Sequence, residues 1–361
     1  MSVPSEPLRV AILGAGIGAQ HLSAYLALPE RFAVTTLCDR DETRARAVLA
    51  ERAPDASIRV AREIDAVLAD DALDLVDVCL PPALHAEVAA AALRAGRHVV
   101  CEKPLVASLA EADALLAAAR ESDRALFPVF QYRYGPATAR LAALVDAGLT
   151  GRGLVASLET HWDRREDYYR VPWRGTWAGE NGGAVLGHAI HNHDLLSTVF
   201  GPIARVSAFV ATRVNAIEVE DCAAIALEMR SGALATSSVT LGAAGDATRL
   251  RFCFEGLTVE SGDAPYAPAE DAWTFTARDP GRQAEVDEVL ATVASPRSGF
   301  AGFLEAVADA LAGDASRAVD TAAGRASIEL VAAVYLSARE GRAVALPLGA
   351  ESELYAGWAP A

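Results

Sequence analysis

In the stretch HVVCEKPLVASL, Lys103 stands out because it is the only lysine in the chain; the rest of the 32 lysines and arginines are arginine. The two types solvate a surface about equally well. Only lysine has a pKa that burial or a neighbour can bring toward neutrality, and only lysine offers a compact, rotatable ammonium donor. A position that stays lysine in an otherwise all-arginine chain is a candidate for that chemistry, against the plainer account that one lysine survived drift at a solvated site.

A second candidate is VAILGAGIGAQHL, where a strand-like run leads into Gly14, Ala15, Gly16, Ile17, Gly18 and Ala19 and then into a helix. Gly14 permits a tight turn, Gly16 lets the backbone approach a pyrophosphate, and Ala19 is small enough for close helix packing, while the helix N-terminus supplies N–H donors and partial positive charge. The next strand-like run ends in Asp39, at the spacing of an acid that accepts from a ribose 2′-hydroxyl. This favours NAD over NADP, whose 2′-phosphate Asp39 repels. Arg40 beside it could stack on adenine or tolerate that phosphate.

Three of the seven histidines, His188, His191 and His193, fall in LGHAIHNHDLL. In a helix His188 and His191 are i and i+3 neighbours on one face, with His193 pointing away. A proton-transfer role, packing histidines, and a metal site completed by a carboxylate all fit that spacing; no remote Cys or His cluster completes a zinc sphere, so no metal is expected. Upstream, HWDRREDYYRVPWRGTW concentrates arginine and aromatic residues in a chain only 6 % aromatic. Arg164, Arg165, Tyr168, Tyr169, Trp173 and Arg174 could form a substrate wall, since aromatic faces grip sugars and arginine forks suit anions. Equally, the arginines could pair with Asp163, Glu166 and Asp167.

Positioning these residues requires two domains. From Leu8 to about Gln131, apolar strand-like runs (LRVAIL, VTTLCD, LVDVCL, HVVC, ALFPVF) alternate with Ala/Leu/Arg helices, which predicts a parallel sheet covered on both faces. After a linking helix, GPATARLAALVDAG, strand-like runs from Gly153 to about Ala277 follow one another mostly across short turns, which predicts an antiparallel sheet. One helix, near Val185 to Phe200, interrupts that sheet, and two more follow at about 299–312 and 321–340. The fold class is therefore α/β in residues 1–131, a dinucleotide-binding domain, and α+β with an open sheet in residues 132–361, a substrate-binding and oligomerisation domain. Runs such as CAAIALEM and ALATSSVTLG carry little charge for a face left in water, so a homodimer or homotetramer through that face is expected.

The 361 residues are 52 % hydrophobic and carry a formal charge of -16, which opposes encounter with nucleic acid or an anionic membrane. The opening MSVPSEPLRV has no signal-like pattern, and no segment reaches roughly 18 uninterrupted apolar residues. A cytoplasmic location is expected. The five cysteines form no CxxC pair and read as free buried thiols.

CLPPALHAEVAAAALRAGRHVVCEKPL closely resembles the glucose-fructose oxidoreductase, inositol dehydrogenase and rhizopine catabolism family, written Gfo/Idh/MocA. The similarity extends through GLTGRGLVAS, WRGTW, GGAVLGHAIHNHDLL and GFLEAVADALAG. The resemblance implies a Rossmann domain, an open and largely antiparallel second sheet, and hydride transfer between a nicotinamide cofactor and sugars, polyols or their derivatives. The family's PPxxH falls on Pro81, Pro82 and His85, and its EKP on Glu102, Lys103 and Pro104, all on the cofactor side. By that likeness Lys103 holds the reacting hydroxyl beside the nicotinamide ribose, Glu102 faces ribose hydroxyls, Pro104 helps aim Lys103, and His191 is the proton acceptor, with the later acid at Asp194. Many members carry Asp four residues before that histidine; here Gly187 occupies the position and His188 follows it. The expected activity is an NAD-dependent dehydrogenase of sugars, sugar derivatives or cyclitols. The alternatives are an NAD-dependent glycosidase working by transient oxidation, elimination, water addition and reduction, with an anionic sugar among its substrates, and a non-catalytic sensor on the same fold.

Overall fold

The structure is a computed structural model and describes residues 6–360. In the first unit, strands β1 (Leu8–Leu13), β2 (Phe32–Cys38), β3 (Arg59–Ala61), β4 (Leu75–Val78), β5 (His98–Cys101) and β6 (Leu126–Pro128) form a parallel sheet in the order β3-β2-β1-β4-β5-β6. Helices α1 (Gly18–Leu26), α2 (Glu42–Arg52), α3 (Ile64–Leu68), α4 (His85–Arg94) and α5 (Leu109–Ser122) connect them. Val10, Ile12, Leu37, Val76, Val78 and Val100 are fully buried, as apolar central strands covered on both faces require. The order reverses between β1 and β4, so the loops after these strands meet at a topological switch point, the usual ligand crevice of such sheets.

The second unit opens with α6 (Pro136–Asp146) and β7 (Gly153–Asp163), then α7 (Trp177–Glu180) and α8 (Ile190–Phe200). Strands β8 (Ile203–Ala211), β9 (Cys222–Met229), β10 (Leu234–Thr240), β11 (Gly242–Phe254), β12 (Leu257–Glu260) and β13 (Thr274–Ala277) precede helix α9 (Gln283–Thr292). With the late strand β14 (Val344–Ala345) they form one sheet in the order β13-β12-β11-β7-β10-β9-β8-β14. Every pairing in it is antiparallel except β7 with β10. Alternation is strict along β10, with Ala235, Ser237 and Val239 inward and Leu234, Thr236 and Ser238 outward.

The chain passes from the first unit to the second between Val129 and Phe130, beside the expected boundary at residue 131. Residues Phe300–Arg325 then return to the first unit, which a single-boundary reading does not contain. Helix α10 (Gly299–Leu311) buries Phe303, Leu304 and Val307 completely, and Asp309 pairs with Arg31. Arg325, at the start of α11 (Thr321–Glu340), closes on Asp113 at 2.5 Å.

Candidate active site

Four segments at the carboxyl edge of the parallel sheet bring sequence-predicted residues together: the Gly14–Ala19 loop after β1, Asp39 after β2, Leu80–His85 after β4, and Glu102–Lys103 after β5. Gly14 has φ +104°, and a Cβ there would lie 2.3 Å from the Cys79 carbonyl oxygen, so the turn demands glycine. A Cβ at Gly16 would meet nothing within 4 Å, and Gly16 and Ile17 are exposed. No side chain caps the α1 N-terminus and its first turn holds no acid. An open glycine shelf against an uncapped helix start suits a pyrophosphate. The close approach of α1 to the sheet falls at Gly18, where a Cβ would sit 2.9 Å from Ile12, while Ala19 is half-buried.

Asp39 accepts from the Ala15 amide at 2.8 Å and the Asp41 amide at 2.8 Å. One nitrogen of Arg44, Nη2, lies 2.7 and 2.8 Å from its two oxygens. Burial alone would raise the carboxyl pKa, but Arg44 and the two amides hold it below the ordinary value. Arg40 is exposed, and the guanidinium on Asp39 belongs to Arg44 instead.

Glu102 is buried, and both of its oxygens are engaged: Oε1 with His21 Nε2 at 3.0 Å, Oε2 with the Lys103 amide at 2.9 Å. His21, on α1, also meets Asp77 of β4 through Nδ1 at 2.8 Å, and its ring lies 4.4 Å from that of Phe300. Burial would lower the pKa of His21, yet Asp77 and Cys79 raise it well above the ordinary imidazole value. Glu102 is held below the ordinary carboxyl value despite burial, first by the hydrogen bond and charge of His21 and then by Lys103. His21, Asp77 and Cys79 have donor atoms within 4.8 Å of one another, a set that could ligate a metal. Their mutual hydrogen bonds instead describe an imidazolium held by carboxylates on both sides. Sequence reasoning missed His21. Its only local signal is a histidine on the buried face of the helix that leaves the glycine loop.

His85 is buried, with Nδ1 2.7 Å from the Pro104 carbonyl oxygen and Nε2 2.8 Å from that of Leu80. It clasps the loop after β4 to the loop after β5, so its route to a cofactor runs through those main chains. Pro81 is exposed and Pro82 half-buried on the same loop. The Lys103–Pro104 peptide is cis, and Lys103 is half-buried.

In the second unit the histidine segment is helical, but Val185–Ala189 forms a π turn ahead of α8. Such turns recur at functional sites. The buried Glu220 anchors the start, accepting from the amides of Gly183 and Val185 and from the Tyr335 hydroxyl. His188 lies 3.4 Å from the Tyr168 hydroxyl and packs edge-on to Trp162. His191 stacks on Tyr132 with ring centroids 4.4 Å apart. Asp194 is held bidentately by Arg133 at 2.7 and 2.5 Å. His193 turns to Ser237, and burial lowers its pKa to about 4, which makes it a neutral packing histidine. A Cβ at Gly187 would meet nothing within 4 Å, so the space of the missing aspartate is open.

The arginine-rich loop divides. Arg165 pairs with Asp163 and Arg170 with Asp167, within the loop as the internal-pairing reading expects, whereas Arg164 pairs with Asp246 outside it and bonds the Tyr266 hydroxyl. Arg174 lies 3.8 Å over the Tyr168 ring and 5.1 Å over Trp173, while its buried Nε and Nη1 have no partner among the described residues. Tyr169 packs edge-on to Tyr168 with centroids 5.0 Å apart. Tyr168 and Arg174 thus pack on one another, whereas Arg164 and Arg165 are engaged in ion pairs.

Residues 8–130 match the family described as an oxidoreductase family with an NAD-binding Rossmann fold, and residues 138–260 match the GFO/IDH/MocA C-terminal domain. The chain belongs to the Gfo/Idh/MocA oxidoreductase family. Its first unit is an NAD-binding Rossmann domain, and sugar dehydrogenases are among the homologues of this Gfo/Idh/MocA protein. An uncharacterised oxidoreductase of Schizosaccharomyces pombe is 31 % identical over 267 residues, 69 % of this chain and 69 % of the relative. Levoglucosan dehydrogenase of Pseudarthrobacter phenanthrenivorans is 28 % identical over 222 residues, 57 % of this chain and 55 % of that enzyme. The WlbA dehydrogenase of Bordetella pertussis, solved with NADH and UDP-GlcNAcA, superposes with a TM-score of 0.82 at 28 % identity, covering 95 % of this chain and 100 % of that one. Among the described residues no helix is long and apolar enough to cross a membrane.

Proposed function

We propose that this protein is an NAD-dependent dehydrogenase that oxidises a hydroxyl-bearing carbon of a sugar, sugar derivative or cyclitol. The observation that carries the reading is the tethering of the chain's only lysine, through its own amide and Glu102, at the ligand-binding edge of the parallel sheet. NAD supplies the hydride acceptor. Lys103 holds the reacting oxygen and stabilises the alkoxide that develops on it, and His191, oriented by its stack on Tyr132, takes the hydroxyl proton. His188, 3.4 Å from the Tyr168 hydroxyl, is the group that would meet a further hydroxyl or acid group of the substrate.

The Arg174 guanidinium, stacked over Tyr168, favours a substrate bearing a carboxylate or phosphate, and the relative WlbA was solved in complex with UDP-GlcNAcA. The test is incubation of purified protein and NAD with neutral sugars, cyclitols, uronic acids, nucleotide sugars and aryl glycosides, following NADH absorbance and aglycone release together. NADH formation on one substrate class supports the reading. Aglycone release without net NADH would replace it with the redox-neutral glycosidase.

A further inference from the structure

The carboxylate of Asp39 has no acceptor position left for a ribose. A carboxylate offers about four lone-pair sites, and here Oδ1 takes the Asp41 amide and Arg44 while Oδ2 takes the Ala15 amide and Arg44. The two amides belong to the main chain. Arg44 is the movable donor: its side chain is 53 % exposed, against 3 % for Asp39. Its position is also unusual, because a cation in the first turn of a helix opposes the helix dipole.

We propose that Arg44 sets the cofactor preference of this enzyme by exchanging Asp39 for the 2′-substituent of the adenosine ribose. A 2′-hydroxyl takes the carboxylate, and Arg44 swings out. A 2′-phosphate takes the guanidinium, and Asp39 keeps its two amides. The pair therefore offsets the charge with which Asp39 would reject NADP and lets one pocket accept both cofactors. Arg40, adjacent in sequence but not on the carboxylate, is not the reader.

The proposal rests on NAD binding by the first unit and is independent of the substrate. Its test is calorimetric titration of 5′-ADP, 2′,5′-ADP, NAD and NADP into the wild type, Arg44→Ala, Arg44→Gln and Arg40→Ala, with thermal melts to verify folding. In both Arg44 variants 2′,5′-ADP and NADP should bind roughly tenfold more weakly, the loss of charge-assisted contacts to a phosphate. The same variants should bind 5′-ADP and NAD about twofold to fivefold more tightly, since a half-exposed ion pair no longer competes. Unchanged affinities in the Arg44 variants, loss of NADP binding in Arg40→Ala alone, or a wild type that binds 5′-ADP but not 2′,5′-ADP would each overturn the proposal. A wild type that binds neither nucleotide would count against the dinucleotide site itself.

Discussion

His21 and Glu102 meet through a 3.0 Å contact between Nε2 and Oε1, so a histidine on the helix after the glycine loop braces the glutamate that holds the Lys103 amide. The contact links the helix after the glycine loop, through Glu102, to the one lysine. Asp77 on the far side of the imidazole keeps the ring charged and fixed in plane.

Replacing His21 tests this brace. His21→Gln removes the cation between two buried carboxylates, and breaking such an arrangement costs about 3 kcal/mol or more. In the wild type, His21 has a raised pKa, so its contribution is complete below the ordinary imidazole value and is lost as pH rises through the raised one. Glu102 has a lowered pKa, so its contribution is complete above the ordinary carboxyl value and is lost as pH falls through the lowered one. Stability should therefore be level between the ordinary carboxyl and imidazole values and fall as pH rises from the latter through the raised value of His21. Without His21, burial raises the pKa of Glu102, so thermal midpoints of the variant should fall as pH rises from acid to neutral. A variant as stable as wild type, with the same pH profile, would show the brace to be incidental.

The outward face of the second sheet is where self-association is expected. Ala224, Ala226, Leu234, Thr236, Ser238, Val155 and Ser157 face outward on paired strands, and Phe209, 78 % exposed, stands opposite Ala224. Ion pairs such as Arg251 with Glu260 and Arg205 with Glu228 flank this uncharged strip. The expectation is a dimer or tetramer that buries it. Light scattering should show an oligomer for the wild type at micromolar concentration, and Ala226→Arg should shift it toward monomer. A monomeric wild type would refute the assignment.

His191→Asn keeps a polar side chain but no proton acceptor. Turnover should fall by roughly a hundredfold or more while NAD affinity stays within about twofold, the signature of a lost general base. Equal losses in turnover and NAD affinity would assign His191 to binding instead.

The glycine loop and Asp39 are legible as a strand, turn and helix because their pattern is local in the sequence, whereas the EKP stretch is legible only through the family resemblance and the uniqueness of Lys103. The successive strand runs likewise predict the mainly antiparallel second sheet, apart from its short strands β12, β13 and β14 and the parallel pairing of β7 with β10. What was not legible is non-local. His21 meets partners 56 and 81 residues away, and the 300–325 segment is defined only by what it packs against. Arg44 lies five residues from Asp39, yet helix geometry rather than adjacency put it, and not Arg40, on the carboxylate. The π turn also escaped periodicity. It separates the environments of His188 and His191, which an ideal helix would have placed on one face.

The central claim, that the only lysine acts as a compact cation at the reacting hydroxyl, is tested most directly by comparing turnover of Lys103→Arg with wild type on the substrate found in the panel, with NAD affinity measured alongside. A guanidinium keeps the charge but displaces the substrate, and a shift near 1 Å can lower the rate by on the order of a hundredfold. Lys103→Arg should therefore lose at least about two orders of magnitude in turnover, as should Lys103→Ala, while NAD still binds through the Gly14–Ala19 loop. Wild-type turnover in Lys103→Arg would contradict the account and leave His191 to carry the reaction alone.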